Sequence, residues 1–179
     1  PIKPMMRFFL QVLLFFPIVI CAQEYQKTDV IIIGGGASGT MAAIQSARLG
    51  VSTLVVEETP WLGGMLTAAG VSAIDGNHKM PSGLWGEFRD QLYAYYGGPE
   101  AVETGWVSNT LFEPSVGNSI LQKMVAAEPN IKVLFNTKWI AVEKMDSGWK
   151  VKIKGKDAKV KTIESKVLID ATELGDVMA

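Results

Sequence analysis

The sequence predicts an α/β fold built around a parallel sheet, and three observations carry the prediction. The apolar run Asp29-Val30-Ile31-Ile32-Ile33 breaks at Gly34-Gly35-Gly36-Ala37-Ser38-Gly39 into a helix of small residues, and Thr53-Leu54-Val55-Val56-Glu57 follows as a second apolar strand. Ile131 to Phe135 and Val167 to Asp170 repeat the short, nearly all-apolar pattern of strands covered on both faces. Helical segments separate the first three of these runs, the alternation expected of strand–helix–strand units.

Each element of the first unit has a physical task. Gly34, Gly36 and Gly39 have G-x-G-x-x-G spacing directly after a strand, and an acid, Glu57, stands about twenty residues on. Gly34 allows the tight turn, Gly36 lets backbone approach a pyrophosphate with no Cβ between, and Gly39 lets the helix press on the sheet. The predicted helix from Ala37 to Leu49 aims its unpaired N–H groups and positive dipole end at the phosphates. Ala42, Ala43 and Ala47 suit close helix-to-strand packing, Gly50 ends the helix, and Val51 to Val56 is the second parallel strand. Glu57 at that strand's carboxyl end would accept hydrogen bonds from ribose hydroxyls. A glycine turn alone has no ligand meaning. Strand, turn, helix, strand and terminal acid in this order make it a dinucleotide cradle in a Rossmann-like domain.

A second glycine pair follows six residues after Glu57, in Thr59-Pro60-Trp61-Leu62-Gly63-Gly64-Met65-Leu66-Thr67. A nicotinamide-binding fold would normally proceed there into its next helix. A glycine pair instead suits close backbone approach to the middle of a long cofactor. Leu84, Phe88, Leu92 and Tyr95 then recur at helical spacing and read as a core-facing stripe, stopped by Gly97-Gly98-Pro99. Glu113-Pro114 opens a further helix, with Pro114 in the tolerated first turn and Ile120, Leu121, Met124 and Val125 on its packed side. Ile131 to Phe135 is a third parallel strand. Trp139 to Met145, Trp149 to Ile153 and Val160 to Ile163 make a β-meander, with turns at Asp146-Ser147-Gly148 and Gly155-Lys156-Asp157, before Val167 to Asp170 rejoins the sheet. There is no internal repeat and no low-complexity linker.

Composition sets outer limits. With 179 residues, 48% hydrophobic content and a net charge of −1, the chain suits one core and shows no nucleic-acid footprint. Lys150, Lys152 and Lys154 alternate along one strand and read as a solvated face. The single cysteine, Cys21, excludes an internal disulfide, a Cys-x-x-Cys pair and a zinc knuckle. Lys3 and Arg7 ahead of the apolar stretch Phe8 to Ile20, with Cys21-Ala22-Gln23 after it, read as a secretory signal over residues 1–22. The stretch is short for a membrane anchor, and Ile20 is bulky for a lipoprotein signal. Cleavage after Ala22 would remove Lys3 and Arg7, leave 15 basic against 18 acidic residues, net −3, and place an exported protein without a membrane span outside the cytoplasm. Only Arg7 is present where a twin-arginine signal needs two, so a cofactor would be captured after export.

From Asp29 to Ala179 the chain resembles the amino-terminal part of a bacterial FAD-dependent oxidoreductase family with a glutathione-reductase-type FAD-binding domain. The landmarks are the cradle, Gly63-Gly64-Met65-Leu66-Thr67, Phe112-Glu113-Pro114-Ser115-Val116, and Val167-Leu168-Ile169-Asp170-Ala171-Thr172-Glu173-Leu174-Gly175-Asp176. In such flavoproteins a buried strand ending in Ala-Thr-Gly returns to lie near the cofactor; here Glu173 replaces that glycine. The resemblance implies that Gly34, Gly36, Ala37, Ser38 and Gly39 bind the pyrophosphate of FAD, Glu57 the adenosine ribose, and the backbone near Trp139 the adenine edge. It places Gly63, Gly64, Met65 and Thr67 toward the ribityl chain or flavin ring, with Ala171 and Thr172 near the cofactor from the other side. The flavin would supply the redox chemistry on a small-molecule or carbohydrate-related substrate. It also implies several hundred further residues holding the substrate domain, so residues 23–179 are expected to be an incomplete FAD-binding domain, inactive alone.

His78, the only histidine, follows the second glycine loop and is the candidate for proton transfer. One histidine permits neither a Ser-His-Asp order nor a two-histidine metal cluster, so no metal site is expected, and Asp75 and Glu87 are unpaired in sequence. Two other readings stay open: a nucleotide-binding module without redox activity, to which Glu173 lends weight, and an NAD(P)-dependent dehydrogenase, which the meander disfavours. No feature of the sequence sets an oligomeric state.

Overall fold

The computed structural model describes residues 25–103, 106 and 108–178. The signal segment expected over residues 1–22, with Cys21, lies outside them. Strand β1 (Tyr25–Ile33) runs through the glycine turn into helix α1 (Ala37–Arg48) and returns as β2 (Thr53–Val56). Two more helices, α2 (Gly83–Tyr96) and α3 (Pro114–Ala126), precede β3 (Ile131–Leu134), and β4 (Lys138–Met145), β5 (Gly148–Lys154) and β6 (Val160–Asp170) follow. Among the described residues, six strands form one sheet in the order β3-β2-β1-β6-β5-β4. β1 pairs in parallel with β2 on one side and β6 on the other, β2 pairs in parallel with β3, and β4 and β5 join as antiparallel neighbours of β6.

Why β1 reads as an unbroken apolar run is visible in its two faces. Val30 and Ile32 pack with Val55 beneath Ala43 of α1, whereas Ile31 and Ile33 join Leu54, Val56, Val151, Ile153 and Ile163 on the other face. Each fully buried aliphatic side chain of this kind contributes about 1.5–3 kcal/mol. Ile44, Phe88, Leu92, Phe112 and Leu121 hold the three helices together, with the Phe88 and Phe112 rings edge to face at 5.6 Å. Arg48, in the last turn of α1, grips Glu87 of α2 with two hydrogen bonds of 2.7 and 2.8 Å and Glu128 beyond α3 with one of 2.7 Å. Glu87, unpaired in sequence, is thereby held below its usual range by the guanidinium.

Three expectations need correction. The last meander strand and the returning strand are one continuous element, β6, antiparallel to β5 over Val160–Ser165 and parallel to β1 over Thr162–Asp170. The polar Glu164-Ser165-Lys166 reads as a break, but cross-strand partners carry it: Lys166 Nζ lies 2.7 Å from Asp29, and Lys27 3.5 Å from Glu164. For the same reason β1 starts four residues earlier than its apolar run, at Tyr25, because Tyr25–Thr28 pair with β6. Tyr95 is 64% exposed, and Tyr96 takes the core-side position, with its hydroxyl hydrogen-bonded to Glu113 at the head of α3. In β5, Lys152 and Lys154 face solvent and Lys150 is half-buried, between the buried Val151 and Ile153.

Candidate dinucleotide site

The three cradle glycines do different work. Gly34 has φ +99°, and a Cβ there would stand 2.3 Å from the Ala171 carbonyl oxygen at the end of β6. A Cβ on Gly39 would stand 2.0 Å from the Gly34 carbonyl oxygen and 3.0 Å from the Ala171 side chain. Both positions are therefore demanded by the protein's own backbone. At Gly36, the N-cap of α1, φ is −62°, and a Cβ would meet only the Glu173 carboxylate, at 3.6 Å. Nothing in the protein's packing asks for glycine there. No side chain caps α1 and its first turn holds no acid, so its N–H groups at that end have no side-chain partner of the helix's own.

Behind the turn a buried network fixes the loop. Glu57, 8% exposed, accepts hydrogen bonds from the Gly35 N–H at 2.6 Å and the Thr59 N–H at 2.7 Å. The residue expected to meet a ribose thus also closes the glycine loop, and its oxygens keep further acceptor capacity. The Gly35 carbonyl accepts from the buried Thr40 hydroxyl at 2.9 Å and from the Gly63 N–H at 2.8 Å. That second bond docks the Gly63-Gly64 loop edge to edge on the cradle, with Gly63 paired to Gly36 as an isolated parallel bridge. Thr67, 1% exposed, donates to the Leu62 carbonyl at 2.5 Å and so braces the loop from inside.

The end of β6 is organised by Asp170. One of its oxygens accepts from the Thr172 N–H at 3.0 Å and the Thr172 hydroxyl at 2.7 Å; the other accepts from the N–H groups of Val177 at 3.0 Å and Met178 at 3.1 Å. Burial pushes this carboxyl up, but the hydrogen bonds, led by that from the Thr172 hydroxyl, outweigh it and hold the group below its usual range. A carboxylate with a lowered folded-state pKa stabilises the protein above its unfolded value of about 3.9, and the contribution fades as pH falls through the folded value. Asp170→Asn should therefore lower stability near pH 6 by about 1–3 kcal/mol. In urea denaturation the gap from wild type should narrow below about pH 4. A gap constant from pH 6 to 3 would show that the carboxylate charge is irrelevant to this turn.

These pieces converge on one cavity of about 590 Å³ outside the carboxyl ends of β1, β2 and β6, where ligands bind in open α/β sheets. Of the residues singled out in the sequence, Gly34, Gly36, Glu57, Gly64, Met65, Trp139, Ala171 and Thr172 line it. Ala37, Ser38, Gly39, Gly63 and Thr67 are not in its wall. His78 is not in the wall either: it sits in the loop before α2, its carbonyl accepting from Arg89 at 3.0 Å. Glu58, overlooked in the sequence, lines the cavity beside Glu57 and pairs with Lys138 at 2.8 Å, a hydrogen bond that pushes the lysine's pKa up. Gly35 and Asp170 were also missed, though a third consecutive glycine and an acid closing an apolar strand were signals for them. Among the described residues no group of three or more His, Cys, Asp or Glu is placed to hold a metal ion, and no helix is long and apolar enough to cross a membrane.

A pyrophosphate-bridged dinucleotide fits this arrangement on the protein's own terms. The one cradle glycine without a packing role opens onto the cavity, at an uncapped helix end, and the volume is in the range of cofactor sites. Residues 29–179 match the family model described as FAD dependent oxidoreductase. Over 45 residues the chain is 44% identical to the 3-oxosteroid 1-dehydrogenase of Mycolicibacterium smegmatis, covering 25% of this chain and 8% of that protein. Its fold is similar to a flavoprotein/dehydrogenase from Cytophaga hutchinsonii, with a TM-score of 0.62, 18% identity, and coverage of 86% of this chain and 41% of that one. It is also similar to the flavin-dependent monooxygenase PieE, solved in complex with FAD and substrate, with a TM-score of 0.56, 18% identity, and coverage of 81% and 30%.

Proposed function

Because the chain belongs to the FAD dependent oxidoreductase family, we propose that it holds FAD in the cavity at the carboxyl ends of β1, β2 and β6 and serves an oxidoreductase acting on a small molecule. Gly36 carries this reading: it is glycine for no reason of packing, it opens onto the cavity, and it caps a helix end that has no side-chain cap and no acid in its first turn. Gly36 and the first turn of α1, with Ala37 and Ser38, would hold the pyrophosphate. Glu57 and Glu58, with the backbone near Trp139, would hold the adenosine. Gly64, Met65 and Thr172 would approach the flavin end. Bound FAD supplies hydride or electron transfer; the protein's part is to hold and orient it.

The bracing around the cradle supports that role. Glu57, Thr40 and Gly63 tie Gly35 in place, and Asp170 fixes Thr172, so both cavity walls are set before a ligand arrives. Binding to a preformed wall costs less ordering than binding to a mobile one. The purified full-length protein should be yellow, with absorbance bands near roughly 370 and 450 nm that bleach anaerobically on addition of a substrate. A colourless protein that binds free NAD would point to a nicotinamide dehydrogenase. A yellow protein that a chemical reductant bleaches but no substrate does would point to a binding module.

Export belongs to the same proposal, on the strength of Lys3, Arg7 and the apolar stretch Phe8 to Ile20. Mature protein from the native host should begin at Gln23, after the small Ala22. Amino-terminal mass spectrometry that finds Phe8 to Ile20 retained would show an anchor instead.

A further inference from the structure

Glu173 stands where an anion-binding cradle would be expected to avoid negative charge. Its backbone is fixed by its neighbours, because Asp170 binds Thr172 on one side and Val177 and Met178 on the other. From there its carboxylate projects back between the two glycine loops. Oε1 lies 3.6 Å from where a Cβ on Gly36 would be and 3.0 Å from where one on Gly64 would be. Glu173 also lines the cavity, and among the described residues no hydrogen bond or ion pair engages its carboxylate. The side chain is exposed, so what singles it out is its place over Gly36 and Gly64.

Resting on the reading of the cavity as an FAD site, we propose that Glu173 is an affinity-setting residue that opposes phosphate at the cradle. A pyrophosphate over Gly36 is held by the α1 dipole and the loop N–H groups against the like charge of Glu173. Compact anions, which have only the cradle to hold them, are therefore bound poorly. A full dinucleotide adds its adenosine and flavin contacts and is retained despite the repulsion. Glu173 thus weakens every phosphate-bearing ligand by a similar factor, so that free pyrophosphate, held by the cradle alone, is lost while the dinucleotide stays bound.

The test compares wild-type and E173Q full-length protein, stripped of cofactor, for binding of FAD, ADP and adenosine by titration calorimetry. E173Q keeps the shape and removes the charge; since water and side-chain rotation screen part of the repulsion, FAD and ADP should each bind about tenfold tighter. Adenosine, which has no phosphate, should be unaffected, and the gain should shrink in 1 M salt. Unchanged or weaker binding of FAD and ADP in E173Q overturns the proposal. So does equal tightening of adenosine, which would mark a change of shape rather than charge. If neither form binds FAD but ADP still tightens, the FAD reading fails and the role of Glu173 stands. If neither form binds FAD or ADP, both fall.

Discussion

Gly39→Ala should destabilise the fold, while Gly36→Val should fold normally and lose FAD. The two positions belong to one sequence motif, yet they answer to different neighbours. A Cβ on Gly39 would stand 2.0 Å from the Gly34 carbonyl oxygen, backbone that cannot move aside without shifting β1 or α1. Overpacking of this kind costs about 3 kcal/mol. For a domain of this size that lowers the melting temperature by roughly 6–12 °C. At Gly36 only the movable end of Glu173 lies within 4 Å, and the backbone is in a conformation open to any residue. Valine there should leave stability nearly unchanged but fill the approach of the pyrophosphate, weakening FAD binding at least about a hundredfold, or 2.8 kcal/mol. Equal flavin content in Gly36→Val and wild type, or a normal melting temperature for Gly39→Ala, would contradict this division of labour.

Glu57→Gln should weaken both FAD binding and the apoprotein. A carboxylate accepts from the N–H groups of Gly35 and Thr59, whereas an amide has one accepting end and must turn its NH₂ toward one of these donors. The lost charge-assisted bond and the unsatisfied donor together cost about 1.5–3 kcal/mol. Affinity should fall by a similar amount, since the same group faces the cavity and its loop positions Gly36. Denaturation of the apoprotein and titration with FAD measure the two separately. Weaker FAD binding with undiminished apoprotein stability would mean that the carboxylate acts on the ribose alone.

Local patterns made the nucleotide half of the fold readable. Ile31 to Ile33 and Leu54 to Val56 are apolar on both faces because both faces are covered, and the glycine turn between them has one physical solution. Both the helix start at Ala37 and the helix end before Gly50 follow from neighbouring residues. Pairings between distant segments were harder to read. Tyr25–Thr28 and Glu164–Lys166 carry no apolar signal, and they are strands because each completes the other across more than a hundred residues of sequence. Tyr95 and Tyr96 both fit a helical stripe within one residue, and it is Tyr96 that packs on the core and bonds Glu113, a residue distant in sequence.

In the site, sequence spacing located the glycines and suggested a separate task for each, but not the neighbours that enforce it. Gly36 differs from Gly34 and Gly39 only in what surrounds it, and Thr67 faces inward because the Leu62 carbonyl needs a donor. His78 follows the second glycine loop in sequence, yet the loop that bears it is drawn toward α2 by Arg89.

The decisive measurement is the flavin released by heat from purified full-length protein, wild type beside Gly36→Val. Wild type should carry close to one FAD per chain and the variant almost none, with both proteins folded. Wild-type protein that carries no FAD and takes up none when it is supplied, or a variant as fully loaded as wild type, would contradict it.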